Sequence, residues 1–218
     1  LVEDNSLYLG NDPSSTTANA QYNVAVGITA LNAVTIGDYN TVVGNESLKD
    51  NTTGSYNTVI GMQALQENIS GNYNTATGMN ALHLNTSGSR NTATGLNALY
   101  ENTQGNYNTA VGADALKNTQ GNYNTAIGYE AGELITTGSN NTIIGYNAAP
   151  NGNNASNQSV IGNAAQGQAD DSVTLGNADV TAVYMAQDSG ATVYAAGLNL
   201  SGGTTVSGVK FGTVTMST

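Results

Sequence analysis

The chain has no cysteine or tryptophan, one phenylalanine and two prolines in 218 residues. Without thiols there are no disulfide staples and no thiolate metal sites. So few large apolar groups make a thick conventional core hard to build. Charged residues are only 9% of the chain, and the basic ones are just Lys49, Arg90, Lys117 and Lys210 against fifteen acids, a net charge of −11. No basic stripe exists to neutralise phosphates, so nucleic acid is not an expected partner. The acids are scattered and read as a solvated surface. No apolar run approaches the roughly 18 residues of a membrane span, and residues 1–22 lack a basic segment followed by an apolar one. Membrane insertion is therefore not expected.

Catalytic chemistry finds equally little to work with. His83 is the one histidine, so a Ser-His-Asp set is possible only by arithmetic, and the residue reads as a solvated surface side chain. Asp170 and Asp171 are adjacent, but neighbouring side chains on a strand point apart, which disfavours a paired-acid hydrolase. No dinucleotide or phosphate-loop fingerprint occurs. The sequence leads us to expect no catalytic residue, no metal ligand set and no cofactor.

What the chain has is glycine, 27 residues of it, and a repeat. The hexad Tyr73–Gly78, YNTATG, recurs in close variants whose leading amides are Asn23, Asn40, Asn57, Asn74, Asn91, Asn108, Asn124, Asn141 and Gln158. The step is 17 residues throughout except for one of 16, between Asn108 and Asn124. So short a fixed period predicts a solenoid with one coil per repeat. Within the hexad, Thr, Val and Ile suit a strand, with Thr58 and Ile60 on one face and Val59 on the other. The following glycines, Gly44, Gly61, Gly78, Gly95, Gly112, Gly128 and Gly145, suit a bend. The expected fold is all-β: a parallel β-solenoid, or β-roll, of 17-residue coils.

Past each bend stands a second apolar pair ending in Leu31, Leu48, Leu65, Leu82, Leu99 or Leu116. Stacked coil on coil, these leucines form a predicted core ladder, each contributing roughly 1.5 to 3 kcal/mol when buried. Asn-Thr-x-Gly turns (Asn51–Gly54, Asn68–Gly71, Asn85–Gly88, Asn102–Gly105) close the coils and offer amides that can bond up the stack. Asn51, Asn68 and Asn85 also match the N-glycosylation pattern, although turn chemistry already accounts for them. Each coil has few large apolar groups for its inside, and the alternate strand face carries Ala76, Ala93, Ala110 and Ala126. Such alanine columns predict close approach of sibling rods, in a homotrimeric bundle.

The repeat divides the chain into a connector or cap (1–22), a solenoid shaft (23–170) and a C-terminal β module (171–218). In the last of these, short alternating segments such as TAVYMA and ATVYAAGLNLS read as strands between glycine turns.

Tyr22, Tyr39, Tyr56, Tyr73, Tyr107 and Tyr123 each precede the hexad amide, with Arg90 and Asn140 substituting in the column. Two readings stand: the rings stack on one another and cover coil corners, or they form a repeated contact surface for sugars.

The NTAxG hexads, the Ala-Leu pairs and the Asn-Thr-x-Gly turns resemble the head repeats of trimeric autotransporter adhesins and related repeats of phage tail fibres. The phrase Ser172–Gly203 is similar to the junction that precedes the self-cleaving intramolecular chaperone of many phage fibres, which favours the phage side. The resemblance implies a homotrimeric shaft of left-handed parallel β-coils at a virion tail, with a receptor-binding role. The adhesin repeat is usually shorter than this one, and the chaperone's Ser and Lys chemistry does not follow Thr218. The expected function is a structural and adhesive fibre segment that positions a tip for attachment to a host-surface glycan or protein, alongside other tail or fibre proteins in an extracellular virion. A bacterial surface adhesin is the alternative. Ice binding is a further one, weakened because among the repeat hexads the Thr-x-Thr pair occurs only at Thr75/Thr77 and Thr92/Thr94.

Overall fold

The fold is that of a computed structural model, which describes residues 2–3, 6–10 and 19–180. Twelve short strands follow one another in a single sheet in chain order. They are β1 (Val2–Glu3), β2 (Ser6–Leu9), β3 (Val24–Val26), β4 (Thr41–Val43), β5 (Thr58–Ile60), β6 (Thr75–Thr77), β7 (Thr92–Thr94), β8 (Thr109–Val111), β9 (Thr125–Ile127), β10 (Thr142–Ile144), β11 (Ser159–Ile161) and β12 (Val173–Leu175). β1 pairs antiparallel with β2, and every later pairing is parallel, in register, one rung per coil. Among the described residues there is no helix. This is the expected parallel β-solenoid, and its eleven parallel strands span about 48 Å at the usual spacing.

The ladder crosses both expected boundaries of the shaft. Leu7 pairs with Val24, a full 17-residue step inside the expected connector. At the other end Ser159 pairs with Val173, so the last described coil is three residues shorter than the 17-residue coils. The strands expected after Val180 lie outside the described residues.

Each coil keeps its inside filled with narrow columns. The six predicted leucines, Leu31 to Leu116, are fully buried, as is the preceding column of Ala30, Ser47, Ala64, Ala81, Ala98 and Ala115. The third column is the middle residue of each strand: Val42, Val59, Ala76, Ala93, Ala110, Ala126, Ile143 and Val160, also buried. The alanines at 76, 93, 110 and 126 therefore do not face a neighbouring rod. Strand alternation turns them into their own coil, and the coil is thin enough that the wall opposite the leucines takes a methyl group. The outward neighbours are the Thr and the Val, Ile or Thr on either side of that middle residue.

Two polar ladders complete the interior. The hexad asparagines are buried, and each side-chain oxygen accepts from the backbone N–H of its counterpart in the next coil: Asn74 N–H to Asn57 Oδ1 (2.9 Å), Asn91 N–H to Asn74 Oδ1 (3.0 Å). Each Nδ2 reaches forward to a turn carbonyl, as Asn74 does to Gly88 (2.9 Å). The turn asparagines bond to one another, Asn68 to Asn51 (2.7 Å), Asn85 to Asn68 (2.8 Å) and Asn102 to Asn85 (3.0 Å). These amides are fully buried, so Asn51, Asn68 and Asn85 offer no acceptor for a glycan in the folded chain.

Glycine is forced at two points of the coil. At the bend, Gly61 has φ of 140°, and a Cβ there would lie 2.4 Å from the Gly78 carbonyl oxygen. At the turn, a Cβ on Gly71 would meet the amide oxygen of Asn68 at 2.3 Å and the carbonyl oxygen of Gly88 at 2.4 Å. Both approaches are closer than any side chain allows.

Candidate functional site

The corner of the coil before the hexad amide is where the tyrosines sit. Tyr22, Tyr39, Tyr56, Tyr73, Tyr107 and Tyr123 adopt left-handed backbone, with φ between 58° and 61°. That conformation is costly for a residue with a Cβ, and here it reverses the chain while the side chain stays outside. One ring per rung brings the rings into register. Tyr22 and Tyr39 stack at 4.8 Å, Tyr39 and Tyr56 at 4.9 Å, Tyr56 and Tyr73 at 4.9 Å, and Tyr107 and Tyr123 at 5.0 Å. These spacings match the rise between strands, so the backbone ladder sets them.

Within the stack, ring planes differ by 4° to 14°. The faces are thus turned to each other, and what an incoming molecule meets is a row of ring edges and phenol hydroxyls. Lost hydration within the stack, then the phenols of Tyr22 and Tyr56, then Asp38, push the Tyr39 hydroxyl above the ordinary phenol value.

Arg90 takes a tyrosine's place with the same left-handed backbone, φ 60°. Its guanidinium carbon lies 5.7 Å from the Tyr73 ring centre and 5.2 Å from that of Tyr107, bridging the gap in the stack by cation–π contact. Its Nη1 donates to the Tyr107 hydroxyl. Around it lies a hollow of about 230 Å³ lined by Asn72, Tyr73, Ser89, Arg90, Asn106 and Tyr107. Asn72, Ser89 and Asn106 cap the coil edge: Ser89 Oγ accepts from the Asn72 N–H (3.0 Å) and Asn106 Oδ1 from the Ser89 N–H (2.9 Å). A larger hollow, about 470 Å³, lies by the last described rung among Ala164, Gln168, Thr174 and Asp179, with no aromatic ring lining it.

A second, shorter stack was not foreseen. His83 stands 5.1 Å from Tyr100 with ring planes 3° apart, and its Nδ1 lies 3.0 Å from the Gln63 carbonyl. The two residues are 17 positions apart, which was the available signal. Among the described residues no three of His, Cys, Asp and Glu gather where they could hold a metal ion. Asp170 and Asp171 are engaged separately: Asp170 Oδ1 accepts from the Ser156 N–H (2.9 Å) and Gln158 Nε2 (3.0 Å), while Asp171 Oδ1 accepts from Asn157 Nδ2 (2.8 Å).

The opposite end of the strand carries apolar side chains outward. The last strand residues Val43, Ile60, Val111, Ile127 and Ile161 are exposed, and so are Ile28, Met62, Met79, Leu96, Tyr129 and Tyr146 just past the glycine bend. Where the strand column turns polar, at Thr77 and Thr94, the column beyond the bend supplies Met79 and Leu96. The two columns together leave a continuous apolar strip about 40% to 58% exposed at Val43, Ile60, Met62, Met79, Leu96 and Tyr146. Neither a family model, nor a curated protein, nor a solved structure matches this chain.

Proposed function

We propose that the chain is a shaft segment of a homotrimeric adhesive fibre, in the manner of a phage tail fibre, which carries a contact surface toward a glycan or protein on a host cell. A bacterial trimeric surface adhesin would be the same shaft mounted on a different anchor. The observation that carries the reading is the outward apolar strip. A lone coil that satisfies its backbone and core by itself has no internal need for Ile60, Met62, Met79 and Leu96 on its outside. A bundle of siblings buries them. The strip replaces the alanine columns as the surface on which chains would pack. The tyrosine edge lies beyond the Thr column from this strip, which leaves it facing outward in such a bundle.

One observation favours ice binding as a second reading. Thr41, Thr58, Thr75, Thr92, Thr109, Thr125 and Thr142 form an outward column over seven successive rungs, next to the Val, Ile and Thr column at the strand end. The hydroxyl and methyl groups of this column repeat at the strand spacing over a longer run than the Thr-x-Thr pairs suggest. Burying the adjoining apolar strip in a bundle would crowd that face, so the two readings compete. Light scattering separates them: a mass three times that of the chain is expected, a monomer mass would overturn the fibre bundle, and thermal hysteresis in that monomer would carry the ice reading.

A further inference from the structure

We infer that the Arg90 hollow is a site for a carboxylated sugar, a uronic-acid-type residue of an acidic polysaccharide. The inference rests on the reading of the tyrosine edge as a glycan-contacting surface, and it names the class of glycan.

Three observations converge on it. First, charge is segregated around the coil. The turn segments that build this edge, 51–57, 68–74, 85–91, 102–108 and 118–124, contain no acid, and Arg90 is their one charged residue. Most of the shaft's acids stand on other columns, at Glu46, Asp114 and Glu130, at Asp50, Glu67 and Glu101, and at Glu133. Asp38, Asp170 and Asp171 do lie on this edge, but Asp38 is three rungs and Asp170 five rungs from Ser89, about 14 Å and about 24 Å, both beyond a Debye length at physiological salt.

Second, among the described residues Arg90 has no carboxylate partner. Among the described residues the ion pair is Lys117 with Asp114, at 3.2 Å. In a chain of net charge −11, an exposed guanidinium held between two aromatic faces and outside any ion pair among the described residues is set apart for an anion from outside.

Third, the donors around it suit a planar anion with two oxygens. A guanidinium presents a fork that matches a carboxylate. Nη1 already donates to the Tyr107 hydroxyl oxygen, which leaves that phenol's own proton free to donate onward. The Tyr73 ring flanks the other side. The remaining tyrosine positions offer hydroxyls but no charge, so they would meet neutral parts of the same polysaccharide along the rod.

The test compares an oligogalacturonate with its methyl ester, the same sugar chain with and without carboxylate charge, by calorimetry on the full chain. The wild type is expected to bind the acid form about tenfold or more tightly than the ester, with a preference that weakens as salt rises. Arg90→Tyr restores the tyrosine column of the neighbouring coils, so it keeps the fold, and it is expected to lose the discrimination. Arg90→Lys keeps the charge without the fork and is expected to keep only a small part of it. Equal binding of acid and ester by the wild type, or unchanged discrimination in Arg90→Tyr, would overturn the assignment. If that equal binding is lost in Tyr56→Ala, the glycan-contacting edge survives while the acidic site does not. No binding of either form by the wild type sinks both.

Discussion

At the scale of single residues, the buried amides set the terms of the fold. Asn74 accepts from the Asn91 backbone N–H on its side-chain oxygen and donates from Nδ2 to the Gly88 carbonyl, buried from water. Removing that side chain orphans the buried Asn91 N–H, at roughly 1 to 3 kcal/mol, and leaves the Gly88 carbonyl with Asn85 Nδ2 as its donor. Asn74→Ala is therefore expected to cost about 2 kcal/mol in a denaturant titration, far more than its small change in apolar area suggests. Asn74→Asp should be worse at neutral pH, because it removes the donor and buries a charge. The sign follows from desolvation, which raises the pKa of a buried carboxyl, so the deficit should ease as the pH falls and the acid is protonated. A melt of Asn74→Asp that is insensitive to pH would contradict the burial. The role of these asparagines was only partly legible: a repeated Asn reads as turn chemistry, and nothing in one sequence says that its amide is inside. The left-handed backbone at Tyr56 and Leu65, φ 61° and 51°, was not legible at all. Both residue types disfavour that region, and only the stacking of neighbouring coils holds them there.

At the scale of the coil, the period alone was enough to give sheet, register and core. The strand triplets, the glycine bend and the six leucines all fall where the 17-residue spacing puts them, because each rung must repeat its neighbour for the ladders to close. The direction of the alanine column was misjudged for a related reason: alternation says that two faces exist, but which one is inside depends on where the chain goes after the bend. The irregular coil after Leu116 shows how far the columns compensate. There Gly132 takes the leucine position, Ile135 stands where Asn51, Asn68, Asn85 and Asn102 stand in earlier coils, and Ile143 follows in the strand column where the four rungs before it have Ala. A Cβ on Gly132 would lie 3.0 Å from Leu116 Cδ2, 3.5 Å from Ile135 Cδ1 and 3.6 Å from Ile143 Cγ1, so the two isoleucines occupy the space a leucine would need. Gly132→Leu alone is expected to overpack this coil and to cost about 1 to 3 kcal/mol. Combined with Ile135→Asn and Ile143→Ala, which restore the pattern of the other coils, most of that loss should return. The coupling should be read from the melting of all three backgrounds, and simple additivity would show that the columns do not share one space.

At the scale of the whole molecule, the question is what the outward apolar strip is for. Its residues contribute little to the isolated coil, since Ile60, Met62 and Met79 remain 42% to 46% exposed while the columns behind them are closed to water. Substituting them should therefore leave the rod standing and act on its association. Ile60→Glu together with Met79→Glu would place two carboxylates per chain in the proposed interface, six in a trimer. Crowding like charges into a desolvated contact costs several kcal/mol. The expected result is a particle with one third of the wild-type mass by light scattering and an unchanged β-sheet signature in circular dichroism. A control carboxylate at Ser87, exposed on the turn rather than the strip, should leave the mass as it was. Because the polar ladders and the leucine column lie wholly within one chain, the monomer should still melt cooperatively, at a temperature that no longer depends on protein concentration. If the double variant instead loses its sheet, assembly and coil formation are one event, and the strip belongs to the fold of the chain rather than to a surface between folded chains. If it keeps both its sheet and the wild-type mass, the siblings meet elsewhere, and the Thr column beside the strip becomes the face to test next.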